Sequence, residues 1–311
     1  MSFKHRWEKV RERNWDVVRD AWVGVVPVFP NLGAAPDPGL EKLFAALTLD
    51  IPEIKDPPAR MSDIPGIRSN ALWEALFLFH KCSHTNLAAQ RLAQQGMQSW
   101  CLFNAYHSAY LGARGIMALL GVALLNLNGR QVAIDLFPEP QKSAKKKNKS
   151  QSWVGPPFQE FLIIRLYPLE QRFLWQGFQR MLRVSVVGCW DASIKKELVG
   201  LSFDEITPPR NRFLYKAIFW PLDDLMIDAE SAGMGLLIGT GLDAAEEGFL
   251  LRLSFCVYRL FEQMLQDLSE YSPVIKIQFE GSRSLATSEV PELERYRAFL
   301  AQVSESVEAI P

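Results

Sequence analysis

The residues of this chain most able to do chemistry include a short run, Arg210-Asn211-Arg212-Phe213-Leu214-Tyr215, set directly behind Pro208 and Pro209. Guanidinium and amide groups in such a row can hold an anion. A phenol with a pKa of about 10 is a poor general base at neutral pH beside an imidazole near about 6.5, so proton transfer at Tyr215 needs a strongly shifted phenol or another residue. The plainer reading pairs Arg210 and Arg212 with carboxylates such as Asp223 or Asp224 and packs Tyr215 into the core. A second source of chemistry is His107, with Asn104 and Ser108 as polar neighbours. It supplies an imidazole if its helix faces the Arg210 segment, and is otherwise a surface or interface histidine.

His80, Cys82 and His84 lie close together, and on a helix the two histidines share a face at i, i+4, as a metal pair can. With no further histidine or carboxylate at a supporting spacing, a packing role is the expectation and no metal or cofactor is implied. Lys142, Lys145, Lys146, Lys147 and Lys149 fall in a polar stretch over 138–157. Such a run is usually a solvated loop, and its alternative is contact with phosphate backbones. Gly233, Gly235, Gly239 and Gly241 match neither a dinucleotide fingerprint nor a phosphate-binding loop and read as a turn before a helix.

The elements that must position these groups are mostly helical by spacing. Trp7, Val10, Trp15, Val18 and Trp22 predict an amphipathic helix over 3–23, followed by a proline-broken strap over 26–67 that holds a short helix near 40–47. Helical spacing returns over 70–95, stops near Gly96 and resumes from 99 to about 125, predicting an antiparallel hairpin. Further helices are expected over 158–184, from 210 to 220, over 244–268 and over 291–307, with a β-like run at 274–279. The mixed stretch 186–207 gives no assignment.

At 311 residues, with 48% hydrophobic and 22% charged residues, the chain has ordinary globular composition and length for about two domains. The net charge of −1 provides no overall field for a polyanion, so nucleic-acid contact requires a local basic patch. Cys82, Cys101, Cys189 and Cys256 are widely separated in apolar contexts and read as reduced core thiols. The first 22 residues carry charges throughout, and the apolar stretch 115–127 is shorter than the roughly 18 to 20 residues of a membrane span, so a cytoplasmic protein is expected.

The segment NLAAQRLAQQGMQSWCLFNAYHSAYLGARGIMALLGV, from Asn86 to Val122, resembles the opening helix pair of the HEPN superfamily, with Ala105, Tyr106, Ala109, Tyr110, Ala113 and Arg114 as the matching residues. The small residues also have a packing reason, since they let helices approach closely. Arg210 to Tyr215 resembles the family's Arg-polar-x-x-x-His element, with Tyr215 where the histidine would stand, and 244–268 resembles its closing helix. The resemblance covers roughly 86–268; with the helical spacing it gives an expected all-α fold with a HEPN-like core over 70–270, to which the spacing and the prolines add an N-terminal helix and proline-rich strap over 1–69 and a strand and helix appendage over 271–311. It implies a homodimer or complex subunit that binds or cleaves RNA without a metal, in a bacterial toxin or anti-phage defence system. Arg210, Asn211, Tyr215 and His107 would then be catalytic, with Arg212, Lys145, Lys146, Lys147 and Lys149 binding the nucleic acid. The rival is a non-catalytic scaffold that uses some of its nine tryptophans as interface anchors.

Overall fold

The computed structural model describes residues 15–25, 40–45, 51–54, 56–95, 97–127, 129–138, 160–166, 171–184, 191–201, 206 and 244–288. Helices dominate these residues: α1 (Trp15–Val25), α2 (Leu40–Ala45), α3 (Ile67–Gln94), α4 (Gln98–Leu119), α5 (Gln171–Val184), α6 (Ala192–Gly200), α7 (Ala244–Glu270) and α8 (Pro273–Ser288). Helices α2, α3, α4 and α7 stand where apolar spacing places them. Among the described residues no helix is long and apolar enough to cross a membrane. The expected helices at 210–220 and 291–307 lie outside the described residues, as do residues 139–157 of the lysine loop and the glycines of 233–241.

The expectation of an all-α fold needs correction, because four antiparallel strands form one sheet in the order β1-β4-β3-β2. These are β1 (Ala59–Ser62), β2 (Val122–Leu127), β3 (Arg130–Asp135) and β4 (Glu160–Arg165). Helix α4 therefore ends at Leu119 instead of running to 125, and the region expected as a helix from 158 contains β4 before α5. The physical cause lies at two turns. Gly121 has φ +82°, where a Cβ would collide with the Phe137 ring, and this residue ends the helix. Gly129 (φ +73°) then turns the chain between β2 and β3, which pair Leu127 with Arg130 and Val122 with Asp135.

Two compact units account for the chain, the first drawn from Met1–Phe77, Arg114–Cys189 and Met264–Gln278, the second from Leu78–Ala113, Trp190–Gln263 and Phe279–Pro311. In the first, the buried Trp22 meets the edge of Phe137 at 4.8 Å between centroids and donates its indole N–H to the Leu119 carbonyl at 2.7 Å. The buried Arg68 donates to the carbonyl of Leu136 through Nε and Nη2, to that of Glu160 at 3.0 Å, and to Asp63 through Nη1. One side chain thus joins α3 to the ends of β3 and β4. Burial lowers its pKa, against the opposing influence of Asp63.

In the second unit Phe79 is the centre of an aromatic cluster with Phe261 (5.2 Å), Phe279 (5.5 Å) and Tyr258 (5.8 Å). The run expected as β-like at 274–279 is instead part of α8. Pro273 suits a first helical turn, Ser272 Oγ accepts from Ile275 N at 3.3 Å, and the buried Ile275 and Phe279 lie four residues apart. The unassigned stretch 186–207 contains α6, whose cap is Asp191 accepting from the backbone N–H groups of Ser193 and Ile194. The hydrogen bond from the Ser193 hydroxyl, with these backbone bonds, holds the Asp191 carboxyl below its usual range.

Candidate functional site

Of the residues expected to do chemistry, His107 is the one that the structure describes; Arg210, Asn211, Arg212, Tyr215, Lys145, Lys146, Lys147 and Lys149 lie outside the described residues. The hairpin that carries His107 is built on small side chains. Ala105, Ala109 and Ala113 are buried on α4, as their spacing predicts, and Tyr106 is buried with them. Cys82 Sγ of α3 sits 3.3 Å from Ser108 Oγ, and that hydroxyl donates to the Cys82 carbonyl at 3.0 Å. Gly112 lets α7 approach as well, since a Cβ there would stand 2.6 Å from Val257 Cγ1 and 3.2 Å from Cys82 Sγ. Arg114, the last residue of the HEPN-like match, is committed in the first unit to Glu74 at 3.6 Å and to the Leu124 carbonyl at 3.2 Å.

On the opposite, partly exposed side of α4, His107 belongs to a row of rings. Trp100 and Phe103 are 6.0 Å apart between centroids in edge contact. Phe103 and His107 are 5.9 Å apart and 6° from parallel, and Tyr110 continues the row at 6.2 Å from His107. Trp100 is 41% exposed and His107 is exposed, while Phe103 and Tyr110 are half-buried. Although His107 reaches solvent, its pKa is lowered, first by desolvation and then by the Lys81 ammonium on α3. Both influences favour the neutral imidazole.

Near Lys81 on α3 are His80 and His84, with ring centroids 4.4 Å apart. Desolvation, then His84, lowers the pKa of His80. Among the described residues no group of three or more His, Cys, Asp or Glu is arranged to hold a metal ion. Cys82, Cys101 and Cys256 are buried free thiols. Burial pushes Cys82 and Cys256 up to about 12, which removes them as nucleophiles at neutral pH.

Two signals of this surface are readable in the sequence and belong to no catalytic motif. Trp100, Phe103, His107 and Tyr110 recur at steps of three, four and three on one helical stripe. From Ala75 to Ile134 there is no Asp or Glu, while three of the four histidines of the chain fall in that span. The α3–α4 part of the second unit therefore offers Lys81, imidazoles and aromatic rings with no carboxylate of its own. Elsewhere in the unit, Glu262 pairs with Arg259 and Arg283, and Glu197 with Arg252. Compared with protein-family models, curated proteins and solved structures, the chain matches none.

Proposed function

We propose that this chain is a HEPN-like RNA-binding protein and that the His107 face of the α3–α4 hairpin contacts the RNA. The observation that carries the reading is the absence of Asp and Glu from Ala75 to Ile134, a span that holds Lys81 and the row of Trp100, Phe103, His107 and Tyr110. That span itself brings no carboxylate to a polyanion, and imidazoles and aromatic rings suit base contact. The Arg210-Asn211-Arg212 run, through its resemblance to the family element, would add phosphate contacts and, with His107 as the imidazole, cleavage. Action as a dimer or complex subunit in a toxin or defence system follows from the same resemblance. The test is incubation of wild-type, Arg210→Ala and His107→Ala proteins with labelled RNA, with and without chelator. Binding by wild type that both variants weaken supports the reading, with loss of chelator-resistant cleavage extending it to catalysis; no binding at low salt contradicts it.

A second reading, a protein-interaction subunit, is favoured by Tyr271 and Ile277 of the first unit, 50% and 56% exposed. It predicts a stable complex that Ile277→Asp disrupts with RNA binding unchanged.

A further inference from the structure

The two histidines of α3 do not fill the packing role that their sequence context suggests. His84 is exposed and His80 half-buried, and among the described residues neither ring makes a hydrogen bond. The rings meet each other instead, with centroids 4.4 Å apart and planes tilted by 49°. Parallel stacked imidazoles direct their nitrogen lone pairs side by side, whereas tilted ones let the lone pairs converge on one point. An ion about 2.0–2.1 Å from each nitrogen, taking two imidazoles at roughly a right angle, holds the ring centres about 4.5 Å apart. The observed spacing is that of a chelate.

The backbone beneath the pair is held in place. Both residues lie more than two turns from either end of α3. On the inner side Phe79 packs among Tyr258, Phe261 and Phe279, and Cys82 is tied to Ser108. Ser83 and Thr85 return their hydroxyls to the carbonyls of Phe79 and Lys81, at 2.9 and 2.7 Å. An ion would therefore have no backbone to order on binding. Lys81, about 100° round the helix from His80, acts on His107 of α4. Burial, then His84, favours the unprotonated form of His80, which is the form that ligates.

We infer that His80 and His84 form a bidentate site for a divalent late transition-metal ion (copper, nickel or zinc), whose other positions are left to water or to an incoming donor. The inference does not depend on the RNA-binding reading. Among the described residues no third His, Cys, Asp or Glu completes a set, and the Cys82 thiol is bonded inwards to Ser108. The donors are thus two nitrogens. Magnesium and calcium require oxygen ligands, whereas imidazole suits copper, nickel and zinc, with copper bound most tightly. Two protein ligands make an open, exchangeable site and not a closed structural one.

The experiment is titration of chelator-treated full-length protein with copper(II), nickel, zinc and magnesium chlorides in a non-coordinating buffer. Calorimetry reads affinity and stoichiometry, and electron paramagnetic resonance reads the copper ligands. The expected result is one equivalent bound, copper more tightly than nickel or zinc, with magnesium not bound. The copper signal should carry hyperfine structure from two imidazole nitrogens. His84→Ala and His80→Gln should each weaken binding at least about tenfold and leave a single nitrogen in the copper signal. His84 is exposed, so its substitution leaves the core untouched. Binding that persists unchanged in both variants places the ion elsewhere and overturns the inference. A single nitrogen in the wild-type signal, or no saturation at about 1 mM metal, overturns it as well.

Discussion

The imidazole of His107 lies 6° from parallel with the ring of Phe103, 5.9 Å away between centroids, while burial and then the Lys81 ammonium lower its pKa. This relationship makes the face sensitive to pH. His107 and His80 both have lowered pKa values, so the folded chain binds fewer protons at these sites than the unfolded chain. Their contribution to stability is present above the unfolded value of about 6.5 and is lost as pH falls towards and below the folded values. Thermal unfolding between pH 7.5 and 5.5 should show a falling midpoint, and His107→Gln should flatten the fall. A midpoint independent of pH in this window would contradict the lowered values.

Ligand binding reverses that sign. A phosphate beside His80 or His107 favours the imidazolium, so RNA affinity should rise several-fold from pH 7.5 to 5.5 and become more salt-dependent. Titration of labelled single-stranded RNA at the two pH values, in wild type and His107→Gln, measures this. Affinity that falls on acidification would place the nucleic acid elsewhere.

Gly112 is predicted to be intolerant of side chains despite its helical position. Alanine gains about 1 kcal/mol of helix propensity, but its Cβ would meet Val257 and Cys82, and overpacking typically costs about 1–3 kcal/mol. Gly112→Ala should be destabilising in urea denaturation, and Val257→Ala should relieve part of the loss in the double variant. Additive losses would show that α4 and α7 do not touch there.

Arg68→Ala should be among the most damaging substitutions in the first unit. It leaves the Leu136 and Glu160 carbonyls and the Asp63 carboxylate without the donor they share, at a cost of about 3–5 kcal/mol. Chemical denaturation measures it, and a loss below about 1 kcal/mol would mean that water replaces the guanidinium.

Much of the helical framework was legible because α3, α4 and α7 repeat apolar residues at the helical period over many turns. The sheet was not, because the apolar run after Gly121 continues the composition of α4 and hides the change of period. The Asn128-Gly129 pair marks that change. At 274–279 the β-branched residues suggested a strand, whereas Ser272, Pro273 and the spacing of Ile275 from Phe279 carry the helix signal. His107 stood out as an imidazole, but its partners did not. Periodicity puts Trp100, Phe103 and Tyr110 on one stripe and cannot tell whether that stripe is covered, which depends on the side of α4 that the small residues Ala105, Ser108, Ala109 and Gly112 turn inwards.

The central claim, that the α3–α4 face binds RNA, is tested most directly by photocrosslinking full-length protein to a 4-thiouridine-substituted single strand and mapping the modified peptides by mass spectrometry. Crosslinks are expected on Trp100, Phe103, His107 or Tyr110 and should be competed by unlabelled RNA. Crosslinks confined to other elements, or none under conditions that crosslink a known RNA-binding protein, would contradict the account.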